Sequence, residues 1–330
     1  MRQEPVLLSR DAEGLFWMAR YLERVENLAR LIDVSQSFES PGYEAEAWFA
    51  LIRINADEKP YAKLVSESGF DGVDPDAVKR SYLLDHNNPT GIPYNLEMAR
   101  TCARTLRPLI STEMWRQINV FHRVIQNITT ADLEGDRLSR LCMRIKDNVQ
   151  AHTGITEGTL YRDQGWQFYQ LGRVIERADQ TTRLLDIKYH QLLPREGEAK
   201  RVADLTQWNA VLRAAAGYHA FKRLSRAAFS PEDVVGFLLR DPSFPRSVML
   251  CIRRVEQHLD DLRRHHNLSG TNEAIERAEF LREFLTDRST RHIIDAGLHQ
   301  YLDQIQIHLM ELAGSIGRSF FRDWRPEAAA

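Results

Sequence analysis

One charged helical pattern occurs twice in this chain of 330 residues, at a constant offset of 153 positions. Two members are exchanged in kind between the copies, Glu26 for Asp179 and Asn27 for Gln180. The identical members are Arg20, Glu23, Arg24, Arg30, Leu31 and Asp33 in the first copy, and Arg173, Glu176, Arg177, Arg183, Leu184 and Asp186 in the second. Similarity at a fixed spacing indicates a repeated structural unit.

Further matches extend the repeat along the chain. Trp48, Ala50 and Arg53 recur as Trp208, Ala210 and Arg213, and residues 82–84 correspond to 237–239. In both halves a proline-containing loop and a long helix follow. The sequence therefore predicts an all-α protein, a tandem duplication of two multi-helix units packed as a pseudo-twofold helical bundle. We place the units at residues 1–160 and 161–330.

Helical periodicity runs through the chain, whereas the alternating pattern of strands is almost absent. Proline and glycine cluster between the periodic segments, where they end helices. Ser9, Ser111 or Thr112, and Thr271 are predicted helix caps. The pattern predicts twelve helices, at residues 10–36, 43–55, 74–84, 92–108, 112–128, 134–159, 164–192, 202–217, 231–239, 245–265, 271–286 and 289–323.

Composition narrows the classes of function. The 44 basic and 46 acidic residues give a net charge of −2, which argues against a nucleic-acid binder and against a polybasic membrane-surface protein. No apolar run reaches the ~18 residues that span a bilayer, and the N-terminal residues do not resemble a signal peptide. Three widely spaced cysteines fit a reducing compartment. We therefore expect a cytoplasmic protein without a membrane or nucleic-acid partner.

Arginine accounts for most of the positive charge, since 37 of the 44 basic residues are arginine and 7 are lysine. Codon bias explains a preference for arginine, but it does not explain arginines that recur at equivalent positions. Arginine forms two-pronged pairs with carboxylates and phosphates. Because Glu and Asp are interleaved with arginine in the repeated pattern, we expect pairing within this motif.

Wound as a helix, the repeated segment separates into an apolar arc and a charged arc in both copies. Spacings of three and four predict pairs along the first helix: Arg20–Glu23, Glu26–Arg30 and Arg30–Asp33. Such pairs contribute ~0.2–0.5 kcal/mol each when exposed, whereas breaking a buried pair costs ~3–5 kcal/mol. The charged residues recur although the apolar residues differ, which favours a buried face.

The charged arcs supply the candidate site, for which three interpretations stay open. It is a structural ion network, a partner- or anion-binding surface, or a catalytic or metal site. Its residues are Arg20, Glu23, Arg24, Glu26, Arg30, Asp33, Arg173, Glu176, Arg177, Asp179, Arg183 and Asp186. Two loops at residues 86–90 and 241–247 also precede long helices, and they are either ordinary helix caps or anion-accepting loops.

Signatures of common enzyme chemistry are missing from the sequence. It has no glycine-rich nucleotide-binding motif, no His-Glu-x-x-His motif and no Gly-x-Ser-x-Gly motif. The Glu-x-x-His pairs of di-iron bundles are missing too. Carboxylate pairs such as Asp132 and Asp136 have the donor atoms for Mg²⁺, but such sites usually also use substrate phosphates. We predict no catalytic residue, no metal site and no cofactor.

Two segments resemble a known family. Residues 8–27, which include Trp17, Arg20, Glu23 and Arg24, are similar to the opening of the bacterial alpha-E family, and so are residues 166–177. That family is all-helical, usually duplicated in tandem, and named for its Glu-Arg motif. The resemblance covers essentially the whole chain. The two copies differ at one helix-packing position, where the first copy has an alanine and the second has Gly172.

The resemblance implies partners for this chain. The family is linked with a predicted bacterial peptide synthesis or modification system. That system contains circularly permuted ATP-grasp carboxylate–amine ligases, transglutaminase-like proteins and an NTN-hydrolase-type peptidase. We therefore expect a non-catalytic accessory protein that binds such a ligase, the transglutaminase-like protein or a peptide. It would use the polar faces around Glu23, Arg24, Glu176 and Arg177.

Two rival functions stay open at this point. In an enzyme, arginines of the two charged arcs would clamp a carboxylate or phosphate, and Glu23 or Glu176 would act as general base. In a self-assembling scaffold, the chain would bind copies of itself as a homo-oligomer. The sequence leaves open whether the charged arcs are buried together or line a cleft.

Overall fold

The computed structural model describes residues 7–39, 44–68, 73–190, 198–224 and 230–321, and in these ranges it is all-helical without strands. Helices of the first half are α1 (Ser9–Phe38), α2 (Glu44–Ile54), α3 (Glu58–Ser68), α4 (Pro75–Leu83), α5 (Ile92–Thr105), α6 (Thr112–Gln126) and α7 (Asp136–Thr159). Those of the second half are α8 (Gln164–His190), α9 (Glu198–Ala214), α10 (Tyr218–Leu224), α11 (Pro231–Arg240), α12 (Val248–Arg264), α13 (Asn272–Phe284) and α14 (Thr290–Phe320).

Helices α1 and α8 form the centre of the fold and run side by side in the same direction. Their contacts keep a nearly constant separation in sequence, from Phe16 against Gly172 to Asn27 against Gln180. Helix α1 also packs against α5 and α7, and α8 packs against α12 and α14. Buried apolar residues of both halves form one continuous core. The two charged segments of the sequence therefore lie in the middle of the protein.

Helices α2 and α9 connect the halves further. Helix α2 packs against both α1 and α8, and α9 does the same. Trp48 of α2 and Trp208 of α9, which correspond in the repeat, are buried. This packing brings the C-terminal end of each of these helices to the central helix of the other half.

Two helices were not predicted from the sequence, α3 and α10. Each follows a tight reversal at Ala56 or Ala216, which have positive φ angles of 56° and 57°. The amide of Asp57 donates to the carbonyl of Ile52, and that of Gly217 donates to Leu212, which closes each preceding helix. Glycine usually occupies this left-handed position. Alanine in its place gives no such sequence signal, so the reversals were missed.

The observed helix N-caps agree in part with those predicted from the sequence. The Ser111 hydroxyl accepts from the amide of Met114 at 3.1 Å, and Ser247 caps α12 in the same way. Ser9 is wrong as a cap, because α1 begins at Ser9 and its N-cap is Leu8. Thr271 is at the N-cap of α13 without a side-chain cap bond. The sequence also predicts helix breaks at Pro41 and Gly42 and at residues 194–197, and these lie outside the described residues.

In the described ranges, no helix combines the length and the apolar character needed to cross a membrane.

Candidate functional site

The twelve candidate residues lie along the contact between α1 and α8. Apolar residues of both helices face the flanking helices, so the charged arcs are left to face each other. Seven of the twelve are buried: Arg20, Glu23, Glu26, Arg30, Arg173, Glu176 and Asp186. The charged arcs are therefore largely buried in the centre of the protein, and the other five candidate residues are half-buried.

Glu176 of α8 binds two arginines of α1. Its carboxylate oxygens lie 2.7 Å from Nε of Arg20 and 2.7 Å from Nε of Arg24. The amide of Gln180 donates to the same carboxylate at 2.9 Å, and Asn27 donates to Gln180 at 2.6 Å. Glu176 is therefore held by three donors inside the interface.

Glu23 of α1 has a corresponding partner on α8. Arg177 donates to both oxygens of Glu23, at 2.8 and 2.9 Å. A second arginine comes from outside the repeated segment, because Arg246 lies just before α12 and reaches Glu23 at 3.1 Å. Arg246 also contacts Glu26 at 2.6 Å, and Glu26 pairs with Arg30 on its own helix. Arg246 thus joins two carboxylates of α1.

The third arginine of each motif binds a helix end of the other half. Arg30 donates to the carbonyl of Ala214, the last residue of α9, and Arg183 donates to the carbonyl of Ile54, the last residue of α2. The final carbonyls of a helix lack partners within it and carry partial negative charge. Each arginine therefore satisfies a C-terminal carbonyl. Arg183 also binds Asp179 at 2.8 Å.

The motif aspartates contact basic side chains of the long helices that end each half. Asp33 lies 2.8 Å from Nζ of Lys146, and Asp186 lies 2.9 Å from Nδ1 of His299. Asp186, His299 and Asp303 offer ligand atoms within 4.8 Å of one another. Two carboxylates and one imidazole are donors that suit a transition metal. Spacing along the sequence does not predict this group, since Asp186 lies 113 residues from His299.

Neighbouring arginines keep the side chains of Glu26 and Glu176 in the charged form. Burial raises the pKa of Glu26, but the charges of Arg246 and Arg30 outweigh burial and lower it far below the usual range. Burial also opposes ionisation of Glu176, yet Arg24 and Arg20 lower its pKa to about 2. Both side chains are therefore carboxylates at neutral pH.

The predicted pairs along the first helix hold only in part. Glu26 pairs with Arg30 as predicted, whereas Arg20 pairs with Glu176 across the interface. Spacing within one helix cannot show that a second helix offers a nearer carboxylate. Arg246 was missed as a partner of Glu23, although the loop that contains it was a candidate anion-accepting loop.

Arg173 is a motif arginine that lines a surface cleft. It is 6% exposed, and its terminal nitrogen binds Glu157 at 3.0 Å. The cleft has a volume of about 450 Å³ and lies between the end of α7, the start of α8 and α12. Arg253 and Arg254 of α12 also line it. The arrangement has the donors to bind an anion, and it contains no nucleophile next to a base among its lining residues.

A family model named Alpha-E, a predicted alpha-helical domain with a conserved ER motif, matches residues 7–321. An uncharacterised protein of Mycobacterium bovis is 25% identical over 271 residues, which are 77% of this chain and 30% of that protein. Two uncharacterised proteins of Mycobacterium tuberculosis match over the same length, at 25% and 24% identity. The chain thus spans about 30% of the length of these relatives. No solved structure shows significant similarity.

Proposed function

The chain belongs to the alpha-E family, and on that premise we propose that it is a non-catalytic accessory protein of a bacterial peptide synthesis or modification system. In this proposal it binds an ATP-grasp carboxylate–amine ligase, a transglutaminase-like protein or their peptide. The observation that carries the non-catalytic role is the mutual burial of the charged arcs, whose arginines and carboxylates are engaged with each other.

Acid–base chemistry at Glu26 and Glu176 is disfavoured by their lowered pKa. A general base works best when its pKa is near the working pH. Glu176, with a pKa of about 2, is a weak base, and Glu26 is weaker still. Two arginine side chains also occupy the oxygens of Glu176 that a substrate proton would have to reach. These facts favour a structural role for the network over the enzyme alternative.

We also propose that the fold arose by tandem duplication, with units at residues 1–160 and 161–330 related by a pseudo-twofold axis. Reciprocal contacts support this interpretation. Arg24 binds Glu176 while Arg177 binds Glu23, and the residue numbers in each pair differ by 153 from their counterparts. The bonds from Arg30 and Arg183 to opposite helix ends are reciprocal in the same way.

The length of the mycobacterial relatives supports a partner-binding role. In each of them the matching region makes up 30% of the protein. The domain there shares its chain with a larger remainder, so it has a neighbour within the same polypeptide. In this chain the domain would contact a separate partner protein in place of that neighbour. It would do so through its outer surface, since its charged arcs are buried.

The experiment is co-purification of this chain with the ATP-grasp ligase and, separately, the transglutaminase-like protein of the same organism. Light scattering after size-exclusion chromatography gives the mass of each mixture and of the chain alone. We expect a heteromeric complex with at least one of the two, and no turnover of ATP or peptides by the chain alone. Absence of both complexes, or turnover by the chain alone, would contradict the proposal.

Arg30 and Arg183 are unsuitable positions for testing partner binding. Both are bonded to backbone carbonyls inside the protein. A substitution there removes a charged donor from a buried acceptor, which destabilises the fold and lowers complex formation indirectly. Variants for the binding experiment belong on exposed residues of the outer helices.

A further inference from the structure

The surface cleft beside Arg173 has features of a ligand site that the buried network lacks. Its volume of about 450 Å³ falls within the range of ~300–1,000 Å³ typical of small-molecule sites. We propose that this cleft binds the anionic group of a small ligand, a carboxylate or a phosphate, between Arg173, Arg253 and Arg254.

Positive charge dominates the cleft. Arg173, Arg253 and Arg254 carry three positive charges, and Glu157 is the single carboxylate among the lining residues. His258 adds no charge at neutral pH, because burial and the nearby arginines lower its pKa to about 4. The cleft therefore has an excess of two positive charges, which suits a dianion such as a phosphate ester or a pair of carboxylates.

Arg253 and Arg254 differ from the arginines of the α1–α8 interface. Both are exposed, and within the described ranges neither forms a salt bridge. They lie on the same face of α12 as Gln257 and His258, at spacings of three and four residues. This face therefore presents guanidinium groups to the cleft rather than to a protein carboxylate.

Arg173 supplies the buried anchor. It is 94% buried, and its Nε is enclosed without a hydrogen-bond partner in the described structure. A buried N–H that lacks a partner is costly, so most such groups in proteins are bonded. Glu157, a half-exposed side chain, takes one terminal nitrogen of Arg173 and thereby occupies a place that a ligand carboxylate can fill.

The remaining lining suits a small organic ligand. Trp166 lines the cleft, with the guanidinium of Arg162 at 3.4 Å from its ring centre, and Gln170 and Gln257 offer amide donors and acceptors. A few polar groups beside an apolar wall are typical of sites that orient a ligand by its charged end. The anion would then bind at the arginines while the rest of the ligand contacts Trp166.

The test is a titration of the full chain with two probes, inorganic phosphate and the dipeptide Glu-Glu, by isothermal calorimetry. Ionic strength is kept low and constant, because salt screens exposed charges. We expect saturable binding of at least one probe, with a Kd of about 1 mM or below. Tighter binding of phosphate identifies a phosphate ester as the ligand class, and tighter binding of the dipeptide identifies carboxylates.

Two double variants locate the site. Arg253→Ala with Arg254→Ala removes both exposed guanidinium groups, and we expect binding to weaken about tenfold or more. Arg263→Ala with Arg264→Ala is the matched control, since it removes the same charge from exposed positions of the same helix, outside the cleft. The control should bind as the natural chain does. Failure of both probes to saturate, or equal weakening in both variants, overturns the proposal.

A third variant tests Arg173 without removing it. Glu157→Gln takes away the carboxylate that competes for this arginine, so we expect probe binding to tighten about three- to tenfold. Unchanged or weaker binding contradicts the role of Arg173 in the site. The titrations need no partner protein, so they succeed or fail independently of the proposed accessory function.

Discussion

Glu23 and Glu176 occupy equivalent positions of α1 and α8, yet their surroundings differ. Glu176 binds Arg20 and Arg24, both of which come from the opposite central helix. Glu23 takes one arginine from the opposite helix and a second one, Arg246, from the segment before α12. The same motif therefore sits in two different electrostatic environments.

The difference affects Arg173, which does not bind the glutamate of the opposite helix. Its counterpart Arg20 binds the glutamate of the opposite helix, whereas Arg173 binds Glu157 at the edge of the cleft. Arg246 occupies the place at Glu23 that reciprocity would give to Arg173. We infer that Arg246, a residue outside the repeated motif, determines whether Arg173 binds within the buried network or at the surface cleft.

The largest expected effect is a difference in stability between variants of Glu176 and Glu23. Glu176→Gln removes a buried charge that faces two arginines, and we expect a loss of ~3–5 kcal/mol in the free energy of unfolding. Glu23→Gln should cost less, ~1–3 kcal/mol, because Glu26 also lies beside Arg246 and takes over part of the role. Urea unfolding of both variants measures the difference.

Glu134→Gln is the control for this pair, since Glu134 is an exposed carboxylate in a salt bridge with Arg137. We expect a change of at most ~1 kcal/mol there. The lowered pKa of Glu176 also means that its stabilisation is present above the ordinary glutamate pKa of 4.5 and is lost as pH falls toward 2. Equal losses for Glu23→Gln and Glu176→Gln would remove the asymmetry argued above.

The second prediction concerns Gly172, whose counterpart in the first half is Ala19. A Cβ atom at Gly172 would overlap the carbonyl group of Phe16, with its carbon at 2.9 Å. Helices α1 and α8 would have to separate, so we expect Gly172→Ala to cost about 3 kcal/mol or to prevent folding. The thermal midpoint and the yield of folded protein report this loss.

Gly154→Ala serves as the comparison for that variant, because a Cβ there meets nothing within 4 Å. Alanine is the better helix former by up to ~1 kcal/mol, so this variant should be neutral or more stable. If Gly172→Ala were tolerated equally well, the close approach of the two central helices would not depend on glycine.

The sequence predicts the helices of this fold more readily than the side-chain pairs between helices. The period of α1 and α8 predicted both helices and their apolar arcs, because that period depends only on local residues. The pairing of Arg20 with Glu176 depends instead on which helix lies opposite, and spacing along one helix carries no such information. The repeat did favour a buried face, and the charged arcs are buried.

The missed features have two physical causes. Helices α3 and α10 begin two residues after alanines in the left-handed conformation, and the local bonds to Ile52 and Leu212 close these turns without the glycine that usually marks them. Arg246 and His299 reach the motif from distant segments through tertiary packing. Those two contacts join segments far apart in sequence, which a single sequence without relatives does not display.

The third prediction concerns replacement of Arg246, the residue by which the surroundings of Glu23 differ from those of Glu176. Arg246 precedes the N-cap of α12, as Thr90 precedes the N-cap of α5. We expect Arg246→Thr to cost ~1–3 kcal/mol and to draw Arg173 from Glu157 to Glu23. A crystal structure of the variant measures this movement directly.

Arg246→Lys keeps the positive charge and serves as the control for the exchange. We expect it to retain the contact between Arg173 and Glu157, because a cation still faces Glu23. If Arg173 stays at Glu157 in Arg246→Thr as well, then Arg246 does not determine its direction, and the link between the network and the cleft is lost.

The smallest effect at neutral pH is expected at His152 of α7, which lies 153 positions before Ile305 of α14. Both residues are buried, but both ring nitrogens of His152 are without a hydrogen-bond partner in the described structure. Replacing such a group with an apolar one is close to neutral or stabilising. We therefore expect His152→Leu to change the unfolding free energy at pH 7 by less than ~1 kcal/mol.

At acidic pH the stability of His152→Leu should differ from that of the natural chain. Burial lowers the pKa of His152 from 6.5 to about 4, so the unfolded chain takes up a proton at a higher pH than the folded one. Stability that is present above pH 6.5 is then lost as pH falls toward 4, and His152→Leu should lose less of it, although His258 still contributes. His86→Ala, which removes an exposed imidazole, should keep the acid sensitivity of the natural chain. Urea midpoints at pH 7 and pH 4.5 that fall equally in His152→Leu and the natural chain would show that the buried imidazole is not the source.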